Sequence, residues 1–238
     1  NMAKEQLTLY ALGYVSQDKK EDDHYIKAYP ISTIPTASGE LSLDEILVTA
    51  ASDLLDGNIN VVINKSNNIE CEWLNQGDSN RLTAPDVCKG EIVFIYNFHG
   101  QDKYYWDTVF NKPEYRKREK ALYFFSNKGE IDNTEGHMTK GYFLLVDTRN
   151  KMIHLHTADN DGELTTYDIS LDTAKGSLMI TDGRGNNVEL ASHSDSLIIN
   201  TNANVEVNTK NALVNASELA KIETKQCTII SEQCDINP

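Results

Sequence analysis

The sequence predicts an all-β protein in three parts: a small closed barrel, a neck of longer strands, and a shaft in which short strands from three chains wind together. Two observations lead there. From Ser196 onward, apolar residues come in pairs at steps of seven or eight residues: Leu197/Ile199, Val205/Val207, Ala212/Val214, Ala220/Ile222, Cys227/Ile229 and Cys234/Ile236. Asn, Thr, Ser, Lys and Glu fill the rest. Ahead of this repeat, the first half of the chain holds runs of β-branched and aromatic residues separated by polar loops, the ordinary signature of strands.

The shaft follows from the arithmetic of the repeat. A strand with only two inward side chains cannot build a core from its own chain, so each repeat must borrow apolar surface from a neighbour. A single-chain solenoid needs roughly 20 residues or more per turn. A hairpin meander with turns this tight favours Gly, Asn-Gly or Asp-Gly at its reversals, whereas no Gly follows Gly185 and Pro238 is the only later Pro. The remaining solution is a chain that advances along an axis and pairs with copies of itself, an intertwined trimeric (triple-stranded) β-helix over residues 176–238. Its axial core is expected to be Leu197, Ile199, Val205, Val207, Val214, Ile222, Ile229 and Ile236.

The barrel is expected over residues 1–125. Its strand candidates are Gln6–Tyr14, His24–Tyr29, Asn58–Asn64, Asn68–Trp73 and Glu91–Phe98. One helix is expected at Ser42–Leu55, where Ser42 suits an N-cap and Glu45 the capping-box position. This many strands with one short helix suits a closed barrel of the OB type. The polar stretch after Ser126 reads as the boundary to the neck, residues 126–175. Longer strands are expected at Tyr142–Val146, Met152–Thr157, Leu164–Ile169 and Leu178–Thr181, with turns at Thr148-Arg149-Asn150 and Asn160-Asp161-Gly162.

Composition narrows the function. The 238-residue chain carries a formal net charge of −14. Three copies would carry three times −14, or −42, which repels nucleic acid and anionic lipid at long range. No stretch approaches 18 apolar residues and no basic region precedes an apolar one, so synthesis in a cytoplasm is expected. Asn1 ahead of Met2 reads as a remnant of tag removal. Cys71, Cys88, Cys227 and Cys234 have no zinc-like spacing and read as small buried hydrophobes. Carboxylates are abundant, yet no pair sits in a recognisable acid/base motif, and no nucleophile signature occurs. Neither catalysis nor a cofactor is expected.

The segment Asn80-Arg81-Leu82-Thr83-Ala84-Pro85-Asp86-Val87-Cys88-Lys89-Gly90-Glu91, followed by Lys103-Tyr104-Tyr105-Trp106, resembles the NR-T-P-V-x-x-G-E … YYW segment of the OB domain in central spike proteins of contractile-tailed bacteriophages. Met152–Thr157, Asp161-Gly162-Glu163, Tyr167-Asp168-Ile169, Ile180-Thr181-Asp182 and Gly185-Asn186 are similar to the neck where such a spike enters its β-helix. The resemblance implies a homotrimeric virion protein at the centre of the tail baseplate, attached to hub or baseplate proteins and piercing the bacterial outer membrane when the sheath contracts. Some relatives carry a lysozyme domain between barrel and β-helix, for which Ser126–Gly141 leaves no room. Others close the tip with a His-x-His pair that binds iron, and no His follows His193 here. The tip is then plain, missing, or capped by a separate PAAR-type protein. Two other readings compete: a trimeric tailspike or fibre fragment that binds or cleaves surface glycan, and the spike of a related secretion or tailocin apparatus.

Further residues invite chemistry but have simpler readings. His154 and His156 share one face of a strand, where a three-fold axis could gather imidazoles around a metal; packing or inter-subunit hydrogen bonding is the plainer role. Thr157–Asp168 has Asp159, Asp161 and Gly162 in phase with a calcium loop, but a turn at Asp161-Gly162 explains them better. Trp73, Tyr104, Tyr105 and Trp106 suit core and subunit contact better than base or sugar stacking. The basic run Arg116, Lys117, Arg118 and Lys120 reads as a solvated face or as a hub-docking surface.

Overall fold

A computed structural model describes residues 6–31, 45–52, 57–64, 68–77, 80–98, 101–109, 118–126 and 140–235, the strands at 45–52 and 57–64 by their backbone alone. The described residues are all-β. Two units divide the chain, Asn1–Asn202 and Ala203–Pro238.

The first unit opens with a closed five-stranded barrel. Its strands are β1 (Leu7–Val15), β2 (Tyr25–Pro30), β5 (Ile69–Trp73), β6 (Ile92–Phe98) and β7 (Tyr104–Thr108), joined around the barrel as β1-β2-β5-β7-β6. All neighbours are antiparallel except β5 and β7, which run parallel with Trp73 opposite Trp106. Closure leaves no sheet edge to be capped. It also brings Val15, Ile26, Cys71, Val93, Ile95 and Trp106 into one fully buried core. Gly13 sits where a Cβ would meet the end of the Ile95 side chain, so a larger residue there would require Ile95 to shift. The Trp106 indole donates to the His24 carbonyl at 3.0 Å, satisfying the one polar atom this ring buries. Burial pushes the Cys71 thiol up to about 12, so this cysteine is an inert packing group, as expected.

Glu45–Ser52, inside the expected helix Ser42–Leu55, is instead strand β3, paired residue for residue with β4 (Gly57–Asn64). Residues 42–44 and 53–55 lie outside the described residues. The capping pattern was compatible with a helix, but Ile46, Val48 and Thr49 are β-branched. β-branched residues favour strand over helix, and β4 supplies a backbone ladder of matching length.

The rest of the unit is a seven-stranded antiparallel meander: β8 (Lys120–Ser126), β9 (Gly141–Asp147), β10 (Met152–His156), β11 (Tyr167–Asp172), β12 (Ser177–Asp182), β13 (Asn187–Ala191) and β14 (Ser196–Asn200). Two boundaries differ from the sequence reading. The barrel ends with β7, so β8 belongs to the sheet and not to residues 1–125 as barrel. The meander also runs on to Asn200, well past residue 176. Leu164 falls in the Thr157–Thr166 loop and not in a strand.

Three of the sheet's turns share one device. Asp147, Asp172 and Asp182 each end a strand and turn the carboxylate back onto the following amides: Asp147 Oδ1 accepts from Arg149 N and Asn150 N, Asp172 Oδ1 from Lys175 N, and Asp182 Oδ1 from Arg184 N and Asn186 N. These are the Asx turns that Asp favours. All three carboxyls are held below the usual aspartate range. Asp172 is held there by the Lys175 amide, Asp182 by the Asn186 side chain, and Asp147 by Asn150 and Arg149 against an opposing effect of burial. The last reversal, into β14, needs no glycine. A 3-10 turn at Ser192–Ser194 leads to Asp195 at φ 51, a left-handed residue of a type that tolerates that conformation.

Candidate functional surfaces

The expected axial residues fall into two settings. Leu197 and Ile199 lie in β14, where they pair within the chain with Leu190 and Val188. This corrects the expectation that the first repeat pairs only with other copies; the Ser192–Asp195 reversal allows it. Val205, Val207, Val214, Ile222 and Ile229 lie in the second unit, and Ile236 is outside the described residues.

Residues 204–235 enter no strand ladder, and their large apolar side chains stand in solvent, from 64% exposed at Val205 to 93% at Ile230. The backbone is nonetheless periodic. It bends at Lys210, at Ser217-Glu218, at Lys225 and at Glu232, each time between two apolar pairs. Three of these bends are bridged by a hydroxyl donating to the carbonyl two residues on: Thr209 to Asn211 at 2.9 Å, Thr224 to Gln226 at 3.0 Å and Ser231 to Gln233 at 2.9 Å. The equivalent position in the remaining repeat is Ala216, which has no hydroxyl, and that step is one of the two with eight residues. The corners are therefore written in side-chain hydrogen bonds and not in glycine.

The seven-stranded sheet is two-faced. On one face, cross-strand register aligns Ala121, Val146, Ile153, Leu171, Leu178, Leu190 and Leu197 in one row. A second row, two residues along each strand, runs Tyr123, Leu144, Leu155, Ile169, Ile180, Val188 and Ile199. Eight of these are 36–68% exposed.

The opposite face is mixed, and it carries His154 and His156. Both imidazoles close on Asp168 Oδ1, His154 through Nε2 at 2.7 Å and His156 through Nδ1 at 2.8 Å, while His156 stacks on Phe143 with ring centroids 5.0 Å apart. Burial works against the Asp168 charge, but the hydrogen bonds from His156 and His154 outweigh it and hold the carboxyl below the usual range. The carboxylate oxygen occupies the point where the imidazoles converge, and no metal-holding group of His, Cys, Asp and Glu occurs among the described residues. Asp168 is thereby also committed away from the Thr157–Asp168 loop, where Gly162 at φ 102 serves a turn. Replacing Asp168 with Asn should cost about 1–3 kcal/mol. Because this carboxyl is depressed on folding, the wild type should exceed the variant above the unfolded aspartate pKa of about 3.9 and lose that margin as pH falls. Thermal unfolding of both proteins at several pH values checks it, and a gap that widens in acid would refute it.

The segment Asn80–Glu91 is a clamp between barrel and sheet. Asn80 and Phe124 exchange hydrogen bonds, Leu82 N donates to Leu122 O at 2.8 Å, and Thr83 Oγ1 accepts from Leu122 N at 3.0 Å. Arg81 pairs with Glu119. Asp86 holds three partners at once: Lys19 Nζ at 2.9 Å, Arg149 at 2.9 Å and the Lys120 amide at 3.1 Å. Ala84 and Val87 fill the barrel core. Lys120, from the basic run, is spent on Asp22 at 2.8 Å; Arg116 and Lys117 lie outside the described residues.

Of the aromatic candidates, Trp73 is half-buried edge-on against His24, and the other three pack within the barrel. Trp106 is fully buried, Tyr104 packs edge-on against Tyr10, and Tyr105 packs edge-on against Phe98 with Lys103 over its ring. Cys227 and Cys234, expected to be buried, are exposed along with the repeat that contains them. The hydroxyl corners were missed in the sequence, although Thr209, Thr224 and Ser231 already stood in phase with the apolar pairs. No protein-family model and no curated protein matches the chain.

Proposed function

We propose that the protein is the trimeric central spike of a contractile tail, a structural part that pierces the bacterial outer membrane as the sheath contracts. The observation that carries this reading is the second unit over its described residues 204–235: a periodic, corner-forming chain whose backbone enters no ladder and whose apolar residues stand in solvent. Such a segment becomes stable when copies of itself supply the missing hydrogen bonds and the dry core. Three chains tied together along an axis resist compression, the load a piercing shaft must carry. The barrel's strand order, with its third and fifth strands parallel, supports the OB reading of the base. Hub proteins and a PAAR-type tip protein are the partners this role implies.

Size-exclusion chromatography with light scattering should give three times 26.7 kDa. Labelled protein should then appear by electron microscopy at the distal end of the tail axis. A stable monomer would sink the reading. Label on lateral fibres, with release of fragments from surface glycan, would transfer the protein to the tailspike class.

A further inference from the structure

Among the described residues, the apolar face of the seven-stranded sheet is left largely open to solvent, with eight of its row residues 36–68% exposed. Its two rows cross all seven strands without a charged residue, and Phe125 and Tyr142 extend the same face. Keeping such a surface in water forgoes about 25 cal/mol per Å2. Exposed apolar patches on monomers rarely exceed a few hundred Å2, whereas rows of this length approach roughly the 800 Å2 per partner of a standard protein interface.

We propose that this face is the inner wall of the assembly, packed against the same face of two further copies, so that the three-fold interface begins at β8 and not at the repeat. This rests on the trimeric spike reading and places the start of the shared core about eighty residues earlier than the sequence did.

Three features name the occupant. The rows offer no charge and, apart from the Tyr123 hydroxyl, no polar group, so only an equally apolar surface complements them. Each chain presents one such surface, and rotational closure of identical walls hides all of them at once. The rows also end on Leu197 and Ile199, the first members of the paired repeat. A consequence is that His154, His156 and Asp168, on the opposite face, lie on the outside of the assembly and do not gather on its axis.

The test uses full-length single-cysteine additions. Leu190→Cys stands on the apolar face and Glu189→Cys on the other. Each is exposed to a maleimide under native conditions, and the labelled residue is identified by peptide mass spectrometry. The thiol introduced at 190 should react at least about tenfold more slowly than the one at 189. As a second readout, Leu155→Asp should lower the oligomeric state while Ser170→Asp on the opposite face leaves it trimeric. Equal labelling rates in a protein that is trimeric by light scattering would overturn this inference and leave the spike reading standing. A monomeric wild type would overturn both.

Discussion

Ile222→Asp should abolish or sharply weaken assembly, shifting the light-scattering mass from three times 26.7 kDa toward 26.7 kDa. Ile222 is 82% exposed in the single chain and belongs to the paired phase of the repeat. Around a three-fold axis the change removes three aliphatic groups, each worth about 1.5–3 kcal/mol when buried. It also brings three carboxylates into one low-dielectric layer. Each buried ion costs several kcal/mol, and mutual repulsion would force some of the three to stay protonated. Val207→Asp should act in the same way. Glu223→Ala and Asn208→Ala, out of phase, should leave the trimer intact. If Ile222 and Glu223 tolerated substitution equally, the inward phase assigned to the repeat would be wrong.

Asp86→Ala should be the most damaging single change in the first unit. The Lys19 side chain it pairs with is 1% exposed, and Arg149 and the Lys120 amide converge on the same carboxylate. Removing one partner of a buried ion pair typically costs about 3–5 kcal/mol, because the other charge stays desolvated. Neighbouring carbonyls at Lys20 and Asp23 still hold Lys19, at 3.0 and 2.9 Å, so Asp86→Ala leaves it solvated in part. For a chain of this size the loss translates to about 10 °C in melting temperature. Glu72→Ala, which breaks the more exposed pair with Lys103, should leave the melting temperature nearly unmoved. Thermal unfolding of the two variants side by side decides the matter: an unmoved transition for Asp86→Ala would mean that the clamp contributes nothing to stability.

Much of this architecture is written locally, and the remainder is not. The β1, β2, β4, β5 and β6 runs announce themselves because β-branched and aromatic residues concentrate in them. The Asp147, Asp172 and Asp182 turns are equally local, since each aspartate meets amides within four residues. The reading of Ser42–Leu55 went astray because an N-cap pattern is satisfied by sequence alone, whereas a strand's stability depends on a partner that the window does not contain. The reversal at Ser192–Asp195 was overlooked for a related reason: glycine was the expected marker of a left-handed residue, and an aspartate serves instead. The clamp was visible only as a motif. That Asp86 gathers partners from β8, the β9–β10 turn and the β1–β2 loop depends on chain crossings that no local pattern encodes. The two apolar rows were present as alternation within each strand, but their continuity needed the register.

The neighbour relations in the two units impose different clocks. Every strand of the meander bonds to the next one along the chain, so the sheet can close as soon as its sequence is available, at a rate independent of concentration. Residues 204–235 have no ladder to close alone. Under the trimeric reading their bonds form only after chains meet, in a step governed by encounter and then by zippering from one corner to the next. Reversal is harder, because a chain cannot leave without breaking many inter-chain bonds together. The shaft would then persist through the slowness of its disassembly, a kinetic safeguard suited to a part that is used once.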